Sequence, residues 1–270
     1  MVEVSQFKSR EESLNHFEWR NSQYPGYLEL MPVDSADSLV VLDFGCGPGN
    51  DLIGFSEFSK CKGLHGADVS ATAIAEAGKR LQLHQSMVQF HKIDENSPRI
   101  DTLDSTFDLI HSSGVLHHVS NLPATLNELH RVIKSEGKLR IMVYNRDSIW
   151  FHLKTAYQSQ ILAGKNSDKT TEEAFEKTTD GEDCPIAKCY TSDSFLNLMH
   201  KYGFEGVHLG NSFSLIEASL LPLLPEALMS KQLGSESRKF LMSLTFDERN
   251  IPLYKGQVAG INSCYEFKKI

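Results

Sequence analysis

The sequence is short of positive charge. Its 270 residues include 27 lysines and arginines against 35 aspartates and glutamates, which gives a net charge of −8. Proteins that bind nucleic acid usually carry a basic surface that displaces counterions from phosphates. The acidic balance therefore weighs against a nucleic-acid substrate, although an acidic average can hide a local basic patch.

Long apolar runs and paired cysteines are also missing. No run of about 18 apolar residues occurs, so no membrane-spanning helix is predicted. The first residues, Met-Val-Glu-Val-Ser-Gln, include an early acid and no apolar core, so we predict no secretory signal and a cytoplasmic protein. The five cysteines are odd in number and form no Cys-x-x-Cys pair. We therefore predict free thiols, no disulfide framework and no metal site.

One stretch, residues 39–51, organises the rest of the sequence. It reads Leu-Val-Val-Leu-Asp-Phe-Gly-Cys-Gly-Pro-Gly-Asn-Asp. The apolar run predicts a strand buried on both faces, and three glycines follow it. Asn50 and Asp51 are predicted to cap the helix that comes next. Such a strand–turn–helix junction lets a flat ligand contact bare backbone.

Two acids indicate the charge of that ligand. Asp43 precedes the glycine turn, where a carboxylate would repel phosphate but could accept a hydrogen bond from an ammonium group. Asp68 ends a second predicted strand, about 20 residues after the turn, where ribose-binding acids lie in dinucleotide-binding units. The dinucleotide fingerprint itself needs a glycine where Asn50 stands. The sequence thus predicts a positively charged nucleoside without a pyrophosphate.

Strand and helix patterns alternate through the next 80 residues, which predicts a parallel sheet with right-handed crossovers. Further strands are predicted at 88–93, 107–112 and 139–144. A helix is predicted to begin at Asn121 and to end at Gly137. Ligands of open α/β sheets bind outside the carboxyl ends of the strands, where the motifs fall.

Four motifs in order resemble the Rossmann-like S-adenosylmethionine-dependent methyltransferases, and most closely the small-molecule branch related to ubiquinone-biosynthesis methylases. The motifs are Asp-x-Gly-x-Gly-x-Gly at 43–49, Gly-Ala-Asp-Val-Ser at 66–70, Lys-Ile-Asp-Glu at 92–95, and Phe-Asp-Leu-Ile-x-x-x-Gly-Val-Leu-His-His-Val at 107–119. The resemblance covers about residues 38–145. It implies a seven-stranded, mostly parallel sheet with helices on both faces, closed by antiparallel pairing of segments 207–209 and 261–267.

The resemblance also implies S-adenosylmethionine as the cofactor and assigns residues to its methionine part. Gly45, Cys46 and Gly47 would bring backbone against it, and Asp43 would support its ammonium group. The backbone carbonyl of Ser112 would meet the same group. Alternatively, Asp43 is a structural acid that binds loop amides.

For the adenosine part, the resemblance implies four positions. Asp68 would accept both ribose hydroxyls, and Val69 would pack on adenine. Asp94 would accept from the adenine amino group, and the backbone of Glu95 would contact the ring edge. The alternatives are a helix-capping Asp68 and a solvated loop acid at Asp94.

The catalytic candidates are His117, His118 and Tyr144. A histidine can accept a proton near neutral pH, and His117 is favoured as the base. Tyr144, at the end of the fifth predicted strand, is a candidate acceptor contact. The alternative is that either histidine caps a turn or packs under the loop. His111 is assigned no role.

We predict four parts of the chain: an N-terminal lid helix (1–37), a cofactor-binding core (38–145), an insertion or mobile lid (146–190), and the end of the core (191–270) with an apolar helical insertion at 213–258. In the first part, Arg20, Tyr24 and Tyr27 are candidates to touch ligand; the alternative is a surface helix followed by a Pro-Gly turn. The polar tract 165–183 is predicted to be an exposed loop or a flexible lid. The apolar stretch 213–244, broken by Pro222 and Pro225, could roof the site, pair two subunits as a homodimer, dock on a membrane surface or pack on the sheet.

The predicted function is methyl transfer from S-adenosylmethionine to a small-molecule or lipid-like acceptor. No Asn-Pro-Pro-Tyr type tetrapeptide follows the fourth predicted strand, which disfavours chemistry on amide or nucleobase nitrogen. Two alternatives remain. One is a nicotinamide-dependent oxidoreductase, disfavoured by Asp43 and Asn50; the other is a non-catalytic cofactor-binding protein.

Overall fold

The computed structural model describes residues 7–181 and 184–270. The first six residues, on which the secretory-signal prediction depends, lie outside this range, as do residues 182–183 near the end of the predicted polar tract. None of the helices in the described part is long and apolar enough to cross a membrane.

A sheet of seven strands in the order β3-β2-β1-β4-β5-β11-β7 forms the centre of the molecule, with the short strand β6 added to β5. All of its pairings are parallel except those of β11 with β5 and with β7. The predicted fold class and the predicted antiparallel closure are thus confirmed. The strands are β1 (Val40–Phe44), β2 (Gly63–Asp68), β3 (Gln89–Lys92), β4 (Phe107–Ser113), β5 (Ile133–Asn145), β6 (Cys189–Tyr190), β7 (Phe204–Ser212) and β11 (Asn262–Lys269).

Helices cover both faces of the sheet because its central strands are apolar on both sides. Successive residues of β1 pack in opposite directions: Val41 joins the core on one face and Leu42 the core on the other. The first face is covered by α1, α3 and α4, and the second by α5 and α7. These helices are α1 (Arg10–Ser22), α3 (Asn50–Phe58), α4 (Ala71–Leu83), α5 (Leu122–Val132) and α7 (Ser192–His200).

Several predicted boundaries are wrong by a few residues. Helix α5 is capped by Asn121 as predicted but ends at Val132, because β5 already pairs with β4 from Ile133 onwards. Strand β4 continues past Ser112 to Ser113, which still pairs with β5. The N-cap of α3 is Gly49 rather than Asn50.

The N-terminal segment supplies α1 and the short helix α2 (Tyr27–Leu30). Ser9 caps α1, and Phe17 buries its ring in the core on the α3 side. Trp19, on the same helix, is 61% exposed. The predicted N-terminal helix is therefore present and is anchored by the ring of Phe17, whereas its role as a lid stays a prediction.

The insertion after β5 is more ordered than predicted. It contains a π-helix (Trp150–Leu162) and α6 (Thr171–Thr178). Thr170 and Glu173 form a capping box on α6, and the buried ring of Phe175 fixes the helix against Phe151. The prediction of an exposed loop over the polar tract is thus wrong in its central part.

The apolar stretch forms short helices, as its prolines predict. It packs on the π-helix in a core of its own, separate from the two cores of the sheet. A small antiparallel sheet follows, which the sequence did not predict. These elements are α8 (Leu215–Leu220), a 3₁₀ turn (Leu221–Leu223), α9 (Leu224–Met229), α10 (Ser235–Met242), β8 (Thr245–Phe246), β9 (Pro252–Tyr254) and β10 (Gln257–Val258).

Candidate active site

The glycine turn lies where the strand order reverses, since β1 pairs with β2 on one side and with β4 on the other. Gly45 has φ of 78°, and a Cβ added to it would lie 2.2 Å from Cγ2 of Val115. Its amide and that of Cys46 donate to the carbonyl of Ala67, at 2.7 and 3.1 Å. Only glycine fits here without displacing a neighbour, because the turn is left-handed and in close contact with the loop after β4.

Two cavities open at the carboxyl ends of the strands. The first, which we call the glycine-loop cavity, has a volume of about 190 Å³ and lies between β1, β2 and the loop after β4. The second, the aromatic cavity, has a volume of about 530 Å³ and lies under α1 and α2. Gly114 lines both, so the two cavities adjoin at the end of β4.

Some of the predicted cofactor residues line the glycine-loop cavity and others lie behind it. Gly45, Asp68, Val69 and Glu95 form part of its wall, together with His118. The predicted residues that line neither cavity are Asp43, Cys46, Gly47, Asp94 and Ser112.

Asp68 is held in place by backbone amides. Its Oδ2 accepts from the amide of Gly47 at 2.8 Å, and its Oδ1 accepts from the amide of Ser70 at 2.7 Å. A carboxylate has about four acceptor sites, so two remain for a ligand. The N-cap of α4 is Ser70 rather than Asp68, so the helix-capping alternative is wrong, and the ribose role of Asp68 stays a prediction.

Asp94 and Glu95 were both predicted to contact adenine, but only Glu95 lines the glycine-loop cavity. Asp94 is exposed, and its Oδ1 accepts from the amides of Asn96 and Ser97 at 2.9 and 3.1 Å. Glu95 lines the glycine-loop cavity and accepts from the hydroxyl of Ser120 at 2.8 Å. The structure thus places Asp94 as a loop acid, and its predicted contact with adenine stays a prediction.

A buried charge network lies beneath the glycine turn. Oδ1 of Asp51 accepts from Nη1 of Arg20 at 2.8 Å, and Oδ2 accepts from Nε2 of His111 at 3.2 Å. Burial opposes ionisation of Asp51, but the charge of Arg20 and the His111 hydrogen bond more than offset it and lower its pKa. Burial, reinforced by the charge of Asp51, raises the pKa of Asp43 well above its usual value. The network therefore favours the ionised form of Asp51 and shifts Asp43 towards its protonated form.

Sequence reasoning missed two members of this network. Asp51 was expected only to cap a helix, and His111, which is 1% exposed, was assigned nothing. A signal for His111 exists in the sheet register, because it pairs directly with Asp43 across β1 and β4.

The three predicted catalytic residues are brought together. The rings of His117 and Tyr144 lie 3.8 Å apart between centroids, and those of His117 and His118 lie 4.1 Å apart. Tyr144 lines the aromatic cavity, whereas His117 lies behind it and is fully buried. Among the residues that the structure describes, neither ring nitrogen of His117 has a hydrogen-bond partner. Burial lowers the pKa of His117 well below 6.5, so its ring is neutral.

The remaining polar groups come from the N-terminal segment and from β4. Arg20, Tyr24 and Tyr27, which were predicted to touch ligand, all line the aromatic cavity. The hydroxyls of Tyr27 and Ser113 lie 2.5 Å apart. Ser113 lines the aromatic cavity, whereas Ser112 lines neither cavity and its buried Oγ has no partner within 7–181 and 184–270. The contact of the Ser112 carbonyl with the ammonium group stays a prediction.

Comparisons with known proteins agree with this architecture. The family described as "Methyltransferase domain" matches residues 16–209. An uncharacterized protein of Methanocaldococcus jannaschii is 32% identical over 149 residues, which are 48% of this chain and 60% of that protein. The 2-phytyl-1,4-naphtoquinone methyltransferase of Nostoc sp. is 28% identical over 106 residues, or 39% of this chain and 46% of that enzyme. The chain thus spans about half the length of these curated relatives.

Among solved structures, the S-adenosylmethionine-dependent methyltransferase of Mesorhizobium loti matches with a TM-score of 0.52 at 15% identity. The match covers 94% of this chain and 98% of that one, and at this identity it concerns the fold alone. The family match, in contrast, covers well over half of the described residues and includes the glycine turn and both histidines. The chain therefore belongs to the methyltransferase domain family and has the Rossmann-like fold of S-adenosylmethionine-dependent methyltransferases.

Proposed function

We propose that the protein transfers the methyl group of S-adenosylmethionine to a small, largely apolar acceptor. The observation that carries the proposal is the contact of the two cavities at Gly114. A nucleoside in the glycine-loop cavity and an acceptor in the aromatic cavity would meet there. Methyl transfer needs this arrangement, because the acceptor atom, the methyl carbon and the sulfur must be in line.

The residues present fit the adenosine part of the cofactor. Asp68 has free acceptor sites for ribose hydroxyls, and Val69, which is 49% exposed, offers an apolar face to the base. Gly45 lets the ligand approach the backbone. When bound, S-adenosylmethionine supplies an activated methyl group on its sulfonium, so the protein need not form a covalent intermediate.

The methionine part would meet the buried network. Its ammonium group would favour the ionised form of Asp43 and so oppose the effect of burial, which raises the pKa of this carboxyl. Arg20 lines the neighbouring cavity and has further N–H groups beyond the one that binds Asp51. These groups are suited to a carboxylate.

The aromatic cavity suits a flat apolar acceptor. Its walls include Tyr24, Tyr27 and Tyr144, and its mouth includes Trp19 and Ile216, which are 61% and 53% exposed. Exposed apolar residues at a cavity mouth are typical of sites that take apolar ligands. The similarity to a naphtoquinone methyltransferase supports an acceptor of this class.

The protein's contribution is chiefly alignment and exclusion of water. Holding two reactants in line can lower a barrier by about 7–11 kcal/mol, whereas a general base adds about 10²–10⁴-fold in rate. Tyr144 is placed to orient the acceptor, and α1, α2 and α8 cover it. His117, predicted as the base, would need a shift of Tyr144 to reach the acceptor.

Calorimetry with S-adenosylhomocysteine and with NADH tests the cofactor. Binding of the first and not of the second is expected, and the reverse would favour the oxidoreductase alternative. Incubating the protein with methyl-labelled cofactor and an extract of cellular metabolites then tests the acceptor. A labelled apolar product that is absent with Asp68→Ala is expected; label in RNA or protein alone would contradict the proposal.

A pair of variants tests His117. His117→Phe keeps a ring against Tyr144 but removes both nitrogens, while His117→Ala removes both ring and nitrogens. If His117 is the base, both variants lose turnover while binding S-adenosylhomocysteine normally. If the ring only supports Tyr144, His117→Phe stays active, and the base assignment is wrong.

A further inference from the structure

Three side chains of metal-binding types meet at the edge of the site, and the proposed methyl transfer does not use them as ligands. They are His118 from the loop after β4, and Asp180 and Cys184 from the segment after α6. One ligand atom from each lies within 4.8 Å of the other two. His118 and Asp180 have side chains about 30% and 31% exposed, so an ion can reach them.

The hydrogen bonding of His118 leaves one nitrogen free to coordinate. Its Nδ1 donates to the carbonyl of Ile186 at 2.6 Å. Its Nε2 therefore carries the lone pair and lies 3.7 Å from Oδ2 of Asp180. A histidine that binds a metal almost always donates its other N–H to a carbonyl or carboxylate in this way.

Asp180 likewise has one oxygen that is hydrogen-bonded and one that can coordinate an ion. Its Oδ1 accepts from the hydroxyl of Tyr144 at 2.8 Å, which leaves Oδ2 facing His118. A nitrogen and an oxygen that share a tetrahedral ion at the usual bond lengths are roughly 3.3–3.5 Å apart. The 3.7 Å between Nε2 and Oδ2 is a few tenths of an ångström longer, so a small approach of the two side chains brings both to one ion.

Cys184 supplies the third ligand. Its Sγ lies 3.7 Å from Nδ1 of His118 and 3.3 Å from the carbonyl of Ile186. Coordination together with Nε2 therefore requires the thiol to leave the Ile186 carbonyl and turn towards Asp180, one oxygen of which lies within 4.8 Å of the sulfur.

We propose that Nε2 of His118, Oδ2 of Asp180 and Sγ of Cys184 bind a divalent cation of the zinc type, with a fourth position left to water. Imidazole, thiolate and carboxylate together favour zinc over the hard cations magnesium and calcium, which prefer oxygen ligands alone. Binding releases the thiol proton of Cys184 to solvent as the sulfur–metal bond forms.

The ion would fasten the segment after α6 to the histidine loop. That segment already contacts the loop through the amide of Lys188, which donates to the carbonyl of His117 at 3.0 Å. Tyr144 extends the connection to the aromatic cavity. The proposal of a cation site rests on the geometry of its three ligands and is independent of the proposed methyl transfer.

Titration of chelator-treated protein with Co²⁺ tests the site. Thiolate coordination gives an intense sulfur-to-cobalt charge-transfer band, and one equivalent is expected in the native chain. Cys184→Ser should abolish the band and weaken Zn²⁺ binding at least 100-fold by calorimetry. Cys61 is a half-buried cysteine just before β2. Cys61→Ser is therefore the matched control and should keep both the charge-transfer band and the affinity for Zn²⁺.

A second variant examines the surrounding hydrogen bonds. Tyr144→Phe leaves every ligand in place but removes the donor to Asp180, so it should weaken Zn²⁺ binding by about 10-fold. Circular dichroism of each metal-free variant checks that the fold is intact. Absence of the band in the native chain, its persistence in Cys184→Ser, or equal binding of Mg²⁺ would overturn the proposal.

Discussion

Replacing Gly45 with alanine is expected to lower the free energy of unfolding by roughly 2–5 kcal/mol. Two costs contribute. A residue with a Cβ in the left-handed region, here at φ of 78°, loses about 1–2 kcal/mol. The new methyl would also lie 2.2 and 2.6 Å from the two γ carbons of Val115, and overpacking of this kind costs about 1–3 kcal/mol.

Gly47 provides a matched control two residues away. It also has positive φ, 51°, but a Cβ added there would meet nothing within 4 Å. Gly47→Ala should therefore carry only the conformational cost of about 1–2 kcal/mol. Urea denaturation followed by circular dichroism measures both variants, and the difference between them isolates the steric contact with Val115.

The double variant with Val115→Ala completes the test. If the contact explains the loss, removing the valine methyls should recover at least 1 kcal/mol in Gly45→Ala, seen as coupling in a double-mutant cycle. Equal losses in the two glycine variants, or zero coupling to Val115, would refute the steric reasoning.

Three further predictions concern charged groups. Burial raises the pKa of Glu217 from 4.5 to about 7, so the folded state binds this proton more tightly than the unfolded state. The free energy of unfolding should therefore fall by about 3 kcal/mol as pH rises from 4.5 to 7. Glu217→Gln should reduce this pH dependence, as measured by denaturation curves at each pH. Asp43→Asn removes a carboxyl whose pKa is raised by burial and should weaken binding of S-adenosylhomocysteine in calorimetry, because the amide cannot become an anion beside the ammonium group; unchanged affinity would contradict a contact between Asp43 and that group. Asp68→Ala should weaken that binding by about 1–3 kcal/mol, whereas unchanged affinity would remove the ribose assignment.

The core of the fold could be predicted because its signals are local. Thirteen consecutive residues predict a buried strand followed by a glycine turn, and Asn121 marks a helix start that the structure confirms. The antiparallel last strand is not visible from periodicity and came from the resemblance. Its buried residues pair with β5 along its whole length, which only a long-range register can specify.

The insertions could not be predicted in the same way, because their order depends on distant partners. The π-helix packs on α10, with the His152 and Phe240 rings 4.0 Å apart, although these residues are far apart in sequence. The polar tract reads as solvent-exposed, yet Phe175 in it is fully buried. The cation candidates escaped notice for the same reason, since His118 and Cys184 are 66 positions apart and form no sequence motif.

Tyr144 connects these separately predicted parts more closely than any single motif suggests. Its ring packs on His117, its hydroxyl donates to Asp180, and its face lines the aromatic cavity. A change in the histidine loop, in the segment after α6, or in the acceptor therefore acts on one side chain. Because residues that share a partner are energetically coupled, substitutions at His117 and Asp180 should not have additive effects, although their own side chains lie on different elements. Tyr144 lies at the end of β5, opposite Asn262 of β11, so the antiparallel pairing that fixes the register of these strands also fixes the position of the Tyr144 wall of the aromatic cavity.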